Sequence, residues 1–366
     1  MSDTREIRLI VAGGGTGGHL FPGIAVAEAL RELRPGLKAL FAGTNKPFEE
    51  RAVSAAGFEH VGLDVEGFLA RGGLDKARAG VKLAAATARA VRRTSRFDPH
   101  LILGVGGYAS VPWLFAGRLL GKRVAVQEQN VVPGRANSLG AKAAGRIYVS
   151  FPRSAQYFPG REVRPLGNPV RPSLVKQFER TRRPADRPFT VLVLGGSQGA
   201  RGINEAVAGC LVELADPASV RFVHQTGEDF EDTGKKYLAA HPGGGEAAAF
   251  FTDMGRRYAE AHLVVCRAGA TTVAELTALG KAAIFVPFPF AANNHQEQNA
   301  RFLEESGAAM VILEKDLTAK TLALVIEELK ADPARIADME QKAKNLGRPD
   351  AAKELAADLV SWISEE

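Results

Sequence analysis

Short apolar runs alternate with helical stretches twice over in this chain, and each series opens on a glycine-rich turn. The first is Ile10-Val-Ala-Gly-Gly-Gly-Thr-Gly-Gly-His19 and the second Val191-Leu-Val-Leu-Gly-Gly-Ser-Gln-Gly-Ala-Arg201. Strands that alternate with helices build parallel sheets, because a parallel connection must cross over a sheet face and a helix fills that crossover. A glycine turn between strand and helix lets backbone N–H groups approach an anionic or polyhydroxylated ligand, with the positive end of the helix behind them. Two such turns predict an α/β protein of two duplicated nucleotide-binding folds facing one cleft.

In the first half, periodicity predicts strands at 7–12, 38–42, 61–64, 101–105, 124–127 and 146–149. Helices are expected at 24–33, 48–56, 75–93, 110–120 and 136–143. Residues 161–172, with Pro165, Pro169 and Pro172, read as an extended linker, and the pattern restarts at Phe189. The second half then predicts strands at 190–194, 221–225, 248–251, 263–266, 282–286 and 309–312. Its helices are expected at 200–214, 234–240, 254–261, 272–279 and 296–306. A last helical stretch, 351–363, has no strand after it. These patterns predict a first domain over 1–165, a second over 166–348, and a C-terminal helix, within 349–366, that packs back on the first.

A length of 366 residues suffices for two such domains, and 46% apolar with 24% charged residues is a globular composition. Two distant cysteines, Cys210 and Cys266, make neither a disulfide framework nor a zinc site, so a reducing compartment is expected. The first residues lack a basic stretch followed by an apolar core and a small-residue cleavage site, so secretion is not expected. No run of about 18 apolar residues occurs, so no membrane-spanning helix is expected. Charge is uneven: residues 1–165 carry 24 Lys and Arg against 13 Asp and Glu (net +11), and residues 166–366 carry 23 against 28 (net −5). Within the first half, Lys76, Arg78, Lys82, Arg89, Arg92, Arg93 and Arg96 face a single acid, Asp75, beside a glycine-flanked segment with Phe68 and Leu69. A charge run is usually a solvated helix face. Concentrated in one domain, this one also suits an anionic membrane surface. Nucleic acid is the weaker partner, because no aromatic stacking platform accompanies the charge.

Gly13 to Gly18 formally contains G-x-G-x-x-G, but the second strand ends Leu40-Phe-Ala-Gly-Thr44 without the acid that would hold an adenosine ribose, which argues against NAD. Neither turn continues into Gly-Lys-Ser/Thr, so a P-loop is absent. His19 sits at the mouth of the first turn, where a neutral imidazole can accept a proton or merely cap its helix. Gly104-Val-Gly-Gly-Tyr-Ala-Ser110 and Gln127-Glu-Gln-Asn130 also follow strands, at the ends where α/β sheets bind ligands. In the second half Glu275 falls in the first turns of a helix, placed either to hold a ribose diol or to complement the helix dipole. Asn293 and Asn294 stand in a polar loop that either holds sugar hydroxyls or caps a helix.

Taken together, Gly-Gly-Thr-Gly-Gly-His-Leu-Phe-Pro at 14–22, Gly-Gly-Tyr at 106–108, Glu-Gln-Asn at 128–130, Gly-Asn-Pro-Val-Arg at 167–171, Gly-Gly-Ser-Gln-Gly-Ala at 195–200, Gly-Ala-Thr-Thr-Val-Ala-Glu at 269–275 and His-Gln at 295–296 resemble the MurG family. These are the UDP-N-acetylglucosamine transferases that convert lipid I to lipid II in bacterial peptidoglycan synthesis. The matches come in family order over nearly the whole chain. The resemblance implies a GT-B architecture, with two Rossmann-like domains whose parallel sheets face a cleft, the donor in the second and the lipid acceptor in the first. It implies donor contacts at Thr16, Gly17, Gly18, Asn130, Arg171, Ser197, Phe251, Ala270, Thr271, Thr272, Val273, Ala274, Glu275 and Gln296. Among these, Glu275 takes the ribose and the backbone of Phe251 takes the uracil edge. His19 is the first choice for the catalytic base, with Glu128 as competitor or orienting partner, and Tyr108 and Asn137 are acceptor-site candidates.

Two departures stand out. Family members often carry histidine where this chain has Gln127, which removes a catalytic histidine there. The commoner Asp-Asp is replaced by Asn293-Asn294, which weakens the case for a metal in that loop. No cofactor and no strictly required metal are therefore expected. The expected partners are UDP-N-acetylglucosamine, lipid I, an anionic membrane surface and other cell-wall synthesis and division proteins, at the cytoplasmic face of the inner membrane. A UDP-sugar epimerase of the same fold is the alternative, and a non-catalytic polyanion-binding protein a more distant one.

Overall fold

The structure, a computed structural model, describes residues 6–63, 73–182, 188–196 and 199–365, with the backbone alone described for 73–80. Ser197, Phe68 and Leu69 lie outside the described residues, as do the side chains of Lys76 and Arg78. The chain divides into two compact units: residues 1–172 with 350–366, and residues 173–349.

In chain order, unit 1 comprises β1 (Arg8–Gly13), α1 (Gly17–Leu33), β2 (Lys38–Gly43), α2 (Pro47–Ala55), β3 (Glu59–Gly62), α3 (Gly73–Phe97), β4 (Leu101–Gly106), α4 (Ser110–Leu119), β5 (Arg123–Glu128), α5 (Arg135–Gly140), β6 (Arg146–Val149) and β7 (Val163–Arg164). Its strands form one parallel sheet in the order β3-β2-β1-β4-β5-β6-β7. β1 and β4 lie at its centre and are covered on both faces, which is why they read as unbroken apolar runs rather than alternating ones. α1 packs close on β1 at Gly23, where a Cβ would come within 2.7 Å of Val11 Cγ1.

Unit 2 continues with α6 (Pro172–Arg180), β8 (Phe189–Leu194), α7 (Arg201–Glu213), β9 (Val220–Gln225), α8 (Glu231–Ala239), β10 (Gly245–Ala248), α9 (Met254–Glu260), β11 (Leu263–Cys266), α10 (Ala270–Leu279), β12 (Ala283–Phe285), α11 (His295–Glu305), β13 (Ala309–Val311), α12 (Ala319–Ala331) and α13 (Pro333–Leu346). Its parallel sheet runs β10-β9-β8-β11-β12-β13. Cys210 and Cys266 are both buried free thiols.

The final helix, α14 (Ala351–Ser364), belongs to unit 1 and packs on α1. It buries Ala351, Ala352, Leu355, Ala356 and Leu359, several of them in the same core as Leu9, Ile24 and Leu30. Its polar side is anchored as well. Arg146, 7% exposed at the side chain, reaches Asp358 Oδ2 at 3.3 Å and Glu365 Oε1 at 3.0 Å, Tyr148 Oη donates to Asp358 Oδ2 at 2.6 Å, and Arg164 pairs with Asp358.

One device recurs in both units. His100, just before β4, accepts the Arg8 N–H at Nδ1 (2.9 Å) and donates its own N–H to the Arg8 carbonyl (2.8 Å). His262, just before β11, does the same with Thr190, at 2.9 and 2.8 Å. Each ring staples the first strand of its sheet to the fourth.

Several expectations need correction. α1 starts at Gly17 rather than residue 24: Pro22 lies inside the helix, in its second turn, where the N–H it lacks would have served the carbonyl of Gly18. The segment 161–172 is not wholly a linker, because Val163 and Arg164 pair with β6 before Pro165 ends the strand. The strand expected at 248–251 lies at Gly245–Ala248, in register with Phe222–Gln225 of β9, and the phenylalanines after it leave the sheet. β3 spans Glu59–Gly62 and so stops before residue 64. The helices α6, α12 and α13 were not anticipated.

Candidate active site

Both sheets reverse their strand order at the centre, between β1 and β4 in unit 1 and between β8 and β11 in unit 2. Carboxyl ends of strands at such a reversal diverge and leave a crevice, the usual ligand position in open α/β sheets. Each glycine turn named from the sequence falls at one of these points.

In unit 1 the turn after β1 and the turn after β4 interlock. Gly14 donates its N–H to the Gly106 carbonyl at 3.2 Å, and a Cβ on Gly107, whose φ is +77°, would fall on the Gly14 carbonyl. The His19 ring rests against Gly106, where a Cβ would lie 2.6 Å from its Cδ2. Thr16 Oγ1 and His19 Nδ1 are 3.3 Å apart. His19 is half-buried, at the third position of α1, and Tyr108 and Asn130 are also half-buried at the ends of the neighbouring strands β4 and β5.

Glu128, at the end of β5, is 1% exposed and holds the loop that follows it. Its Oε1 accepts from Asn130 N (2.9 Å) and Nδ2 (3.1 Å), and its Oε2 from Gly134 N (3.1 Å) and Asn137 Nδ2 (2.8 Å). Burial pushes its carboxyl above the usual range, while the bonds from Asn130, Asn137 and Gly134 pull the other way. Asn137 is itself buried beneath that loop, with its amide on Glu128 and on the Gln127 carbonyl. Gln127 donates to Asn168 Oδ1 (3.3 Å) and Ser150 Oγ (3.2 Å), and so ties the Gly167–Arg171 segment to β5. Arg171 lies in unit 1, its guanidinium 4.6 Å above the Phe21 ring of α1.

In unit 2 Gln225, at the end of β9, clasps two segments. Its Nε2 donates to the Gly196 carbonyl at 3.2 Å, and its Oε1 accepts the Phe251 N–H at 3.0 Å. Phe251 is buried under Arg257, whose guanidinium stands 4.3 Å from the ring. At α10 the first N–H bonded to Gly269 is that of Val273 (2.9 Å), so the amides of Ala270, Thr271 and Thr272 lie ahead of it at the positive end of the helix. Glu275 lies in the second turn, 8% exposed, and accepts from Tyr258 Oη at 2.9 Å. Asn299 Nδ2 holds the Ala268 carbonyl at 3.2 Å, and Gln296 Oε1 accepts the Phe288 N–H at 3.0 Å. Asn293 and Asn294 both have φ of +54°, a left-handed backbone that asparagine tolerates better than most residues.

Two family models match the chain: the glycosyltransferase family 28 N-terminal domain over residues 9–149 and the C-terminal domain over 190–355. The chain belongs to glycosyltransferase family 28. Among its relatives, the UDP-N-acetylglucosamine–N-acetylmuramyl-(pentapeptide) pyrophosphoryl-undecaprenol N-acetylglucosamine transferase of Myxococcus xanthus is 42% identical over 351 residues, 96% of this chain and 91% of that protein. The crystal structure of MurG from Acinetobacter baumannii superposes with a TM-score of 0.77 at 30% identity, over 98% of this chain and 100% of that one. The UDP-GlcNAc 2-epimerase of Neisseria meningitidis, bound to UDP-GlcNAc, has a TM-score of 0.70 over 98% of this chain and 100% of that chain, but only 11% identity, and shares the fold alone. The fold is therefore the two-sheet GT-B type expected from the sequence.

Within this family-28 chain the structure gathers Thr16, Gly17, Gly18, His19, Tyr108, Glu128, Asn130 and Asn137 at adjacent strand ends of unit 1, and Phe251, Ala270–Glu275 and Gln296 around the β8–β11 end of unit 2. Sequence reasoning missed Gln225 and Glu49. Gln225 ends a strand in a polar residue, and that was its only signal. Glu49 is fully buried beside the first turn, although it comes from α2 rather than from a strand end.

His224, adjacent to Gln225, is fully buried, with Nε2 3.0 Å from Asn204 Oδ1 and Nδ1 bonded to Tyr237 Oη. Burial lowers its pKa from 6.5 to about 3. The native state thus binds fewer protons than the unfolded chain between those values. The stabilisation is complete above about pH 6.5 and declines as pH falls toward 3, by about 1.4 kcal/mol per unit. Thermal or urea unfolding from pH 6.5 to 5 should show this loss in unit 2, and His224→Gln should flatten the slope by about one proton.

Proposed function

We propose that this chain transfers N-acetylglucosamine from UDP-N-acetylglucosamine to the muramoyl sugar of undecaprenyl-pyrophosphoryl-N-acetylmuramoyl-pentapeptide. What carries the proposal is the pairing of two unlike switch-point sites on one family-28 chain: an imidazole over the interlocked turns of unit 1, and a helix start with a buried carboxylate in unit 2. Relatives named for this transfer support it.

In the reaction a muramoyl hydroxyl oxygen bonds to the anomeric carbon of N-acetylglucosamine as the bond from that carbon to the UDP oxygen breaks, inverting α to β. The hydroxyl proton passes to His19. UDP leaves with the added negative charge, stabilised by the amides at the start of α10 and by the Gly195–Ala200 turn, and no metal is required. Glu275 takes the ribose hydroxyls. Glu128 and Asn137 act by holding the loop on which Asn130 is presented. Because every oxygen of Glu128 already accepts hydrogen bonds, His19 is the stronger candidate for the base.

The acceptor lipid stays in a bilayer, and the basic first unit suits peripheral docking on its anionic cytoplasmic face. The exposed residues Arg89, Arg92, Arg93 and Arg96 of α3 line one groove with Leu40 and Phe97, and Val81 on the same helix is 70% exposed. No helix among the described residues is long and apolar enough to cross a membrane.

The deciding assay is label transfer from UDP-N-acetylglucosamine to a lipid I analogue in phosphatidylglycerol-containing vesicles, with and without a chelator. Transfer that the chelator leaves unchanged is expected. Absence of transfer at any pH or salt, or C2 epimerisation of the donor alone, overturns the proposal. In the same assay Glu275→Gln should raise the donor KM by about 10- to 100-fold, the range for losing a hydrogen bond to a charged group, with kcat at saturating donor little changed.

A further inference from the structure

The turn that carries His19 is braced by a side chain that no strand end supplies. Glu49, the third residue of α2, is fully buried, and its carboxylate faces three donors. Oε1 accepts the Gly15 N–H (2.5 Å) and the Thr44 hydroxyl (2.6 Å), and Oε2 accepts the Thr44 N–H (2.8 Å). His60 Nε2 lies 3.7 Å from Oε2, and Lys46 Nζ donates to the Gly15 carbonyl at 2.8 Å. Glycines make the room: a Cβ on Gly14 or on Gly43 would fall on the carboxylate. The helix that delivers Glu49 is fixed against α1 by Phe48, whose ring meets Phe21 edge-on at 6.1 Å.

Both backbone polar groups of Gly15 are thereby clamped, one by Glu49 and one by Lys46. Gly15 precedes Thr16, the N-cap of α1, whose carbonyl accepts the His19 N–H at 3.2 Å and whose hydroxyl lies beside the His19 ring. Glycine turns have many accessible backbone conformations, so a turn of three consecutive glycines holds a catalytic ring in place only if something outside the turn selects one of them. A buried carboxylate does so with little slack, because each donor it loses leaves a desolvated polar group behind.

We propose that Glu49 is a positioning residue for transfer: it touches neither substrate, and it sets the Gly13–Gly18 turn so that His19 meets the acceptor hydroxyl. This rests on His19 acting as the base. Glu49→Gln keeps the shape but offers an N–H₂ where the Thr44 or Gly15 donor points, and Thr44→Val removes one donor while leaving the carboxylate.

The test is steady-state kinetics of the full chain with UDP-N-acetylglucosamine and a lipid I analogue, together with amide hydrogen exchange over residues 13–19 and thermal melting. For Glu49→Gln we expect kcat to fall about 10- to 100-fold, the donor KM to stay within about twofold, and exchange at 13–19 to quicken about tenfold or more; Thr44→Val should fall between it and the wild type. Unchanged exchange overturns the clamp, whatever the activity. Quickened exchange with kcat within twofold of wild type overturns its role in catalysis. If Glu49→Gln unfolds, the decision passes to Thr44→Val, where quickened exchange with lowered kcat supports the proposal and wild-type values of both overturn it. Failure of the underlying reading looks different: His19→Ala would then retain activity while Glu49→Gln still quickened exchange.

Discussion

Replacing His19 by alanine lowers kcat for transfer by about 100- to 10,000-fold, the usual contribution of a positioned general base, and leaves the donor KM within a few-fold. The split follows from the proposed division of labour between the units: the ring rests on Gly106 in unit 1, whereas the α10 start and Glu275, proposed to hold the donor, belong to unit 2. Glu128→Gln serves as the contrast. It disturbs the acceptors of Asn130, Gly134 and Asn137, so it should lower stability as well as rate, whereas His19→Ala should leave the melting temperature nearly unchanged. A His19→Ala enzyme within tenfold of wild-type kcat would rule out His19 as the base.

The second large effect concerns folding. Removing residues 348–366 strips α14 from α1 and uncovers the core around Leu20, Ile24 and Leu30, and the buried Arg146 loses Asp358 and Glu365 while keeping Glu162 at 3.4 Å. Unit 1 of the shortened chain should lose its cooperative thermal transition and expose apolar surface to a hydrophobic dye, while the transition of unit 2 persists. The graded form is Leu355→Ala. This side chain is fully buried, and deleting it should cost about 2–5 kcal/mol, or a melting shift of about 5–15 °C for a unit of this size. Coincident transitions for the truncated and full chains would contradict the packing described for α14.

The two sheets were legible because their central strands are buried on both faces and therefore apolar without alternation, as at Leu9–Ala12 and Val191–Leu194. The ends of elements were less so. Pro22-Gly23 reads as a helix breaker, yet α1 runs through it, since tertiary packing of Gly23 on Val11 outweighs local propensity. α12 and α13 carry helical spacing, with Leu322, Ile326 and Leu329 buried on one face, but they follow β13 without a further strand and so fall outside an alternating pattern. Among site residues, those in glycine-rich motifs could be named from their spacing. Glu49 could not: the pattern places a ribose-binding acid at the end of β2, and here the carboxylate arrives at that strand end from the following helix and faces the turn instead.

The paired histidine staples, His100 on Arg8 and His262 on Thr190, mark the two halves as copies of one scaffold, and their clamps show where the copies parted. In one copy the glycine turn is gripped by a carboxylate; in the other it is gripped by the neutral amide of Gln225, which takes a carbonyl. The difference gives the twin crevices unlike clamps: the first sets the Glu49 carboxylate and the Lys46 ammonium on either side of Gly15, and the second sets a neutral amide on Gly196. In the transfer proposed above, one half binds the nucleotide and the other deprotonates the hydroxyl, so two halves of like plan would do unlike work around turns gripped by unlike chemistry.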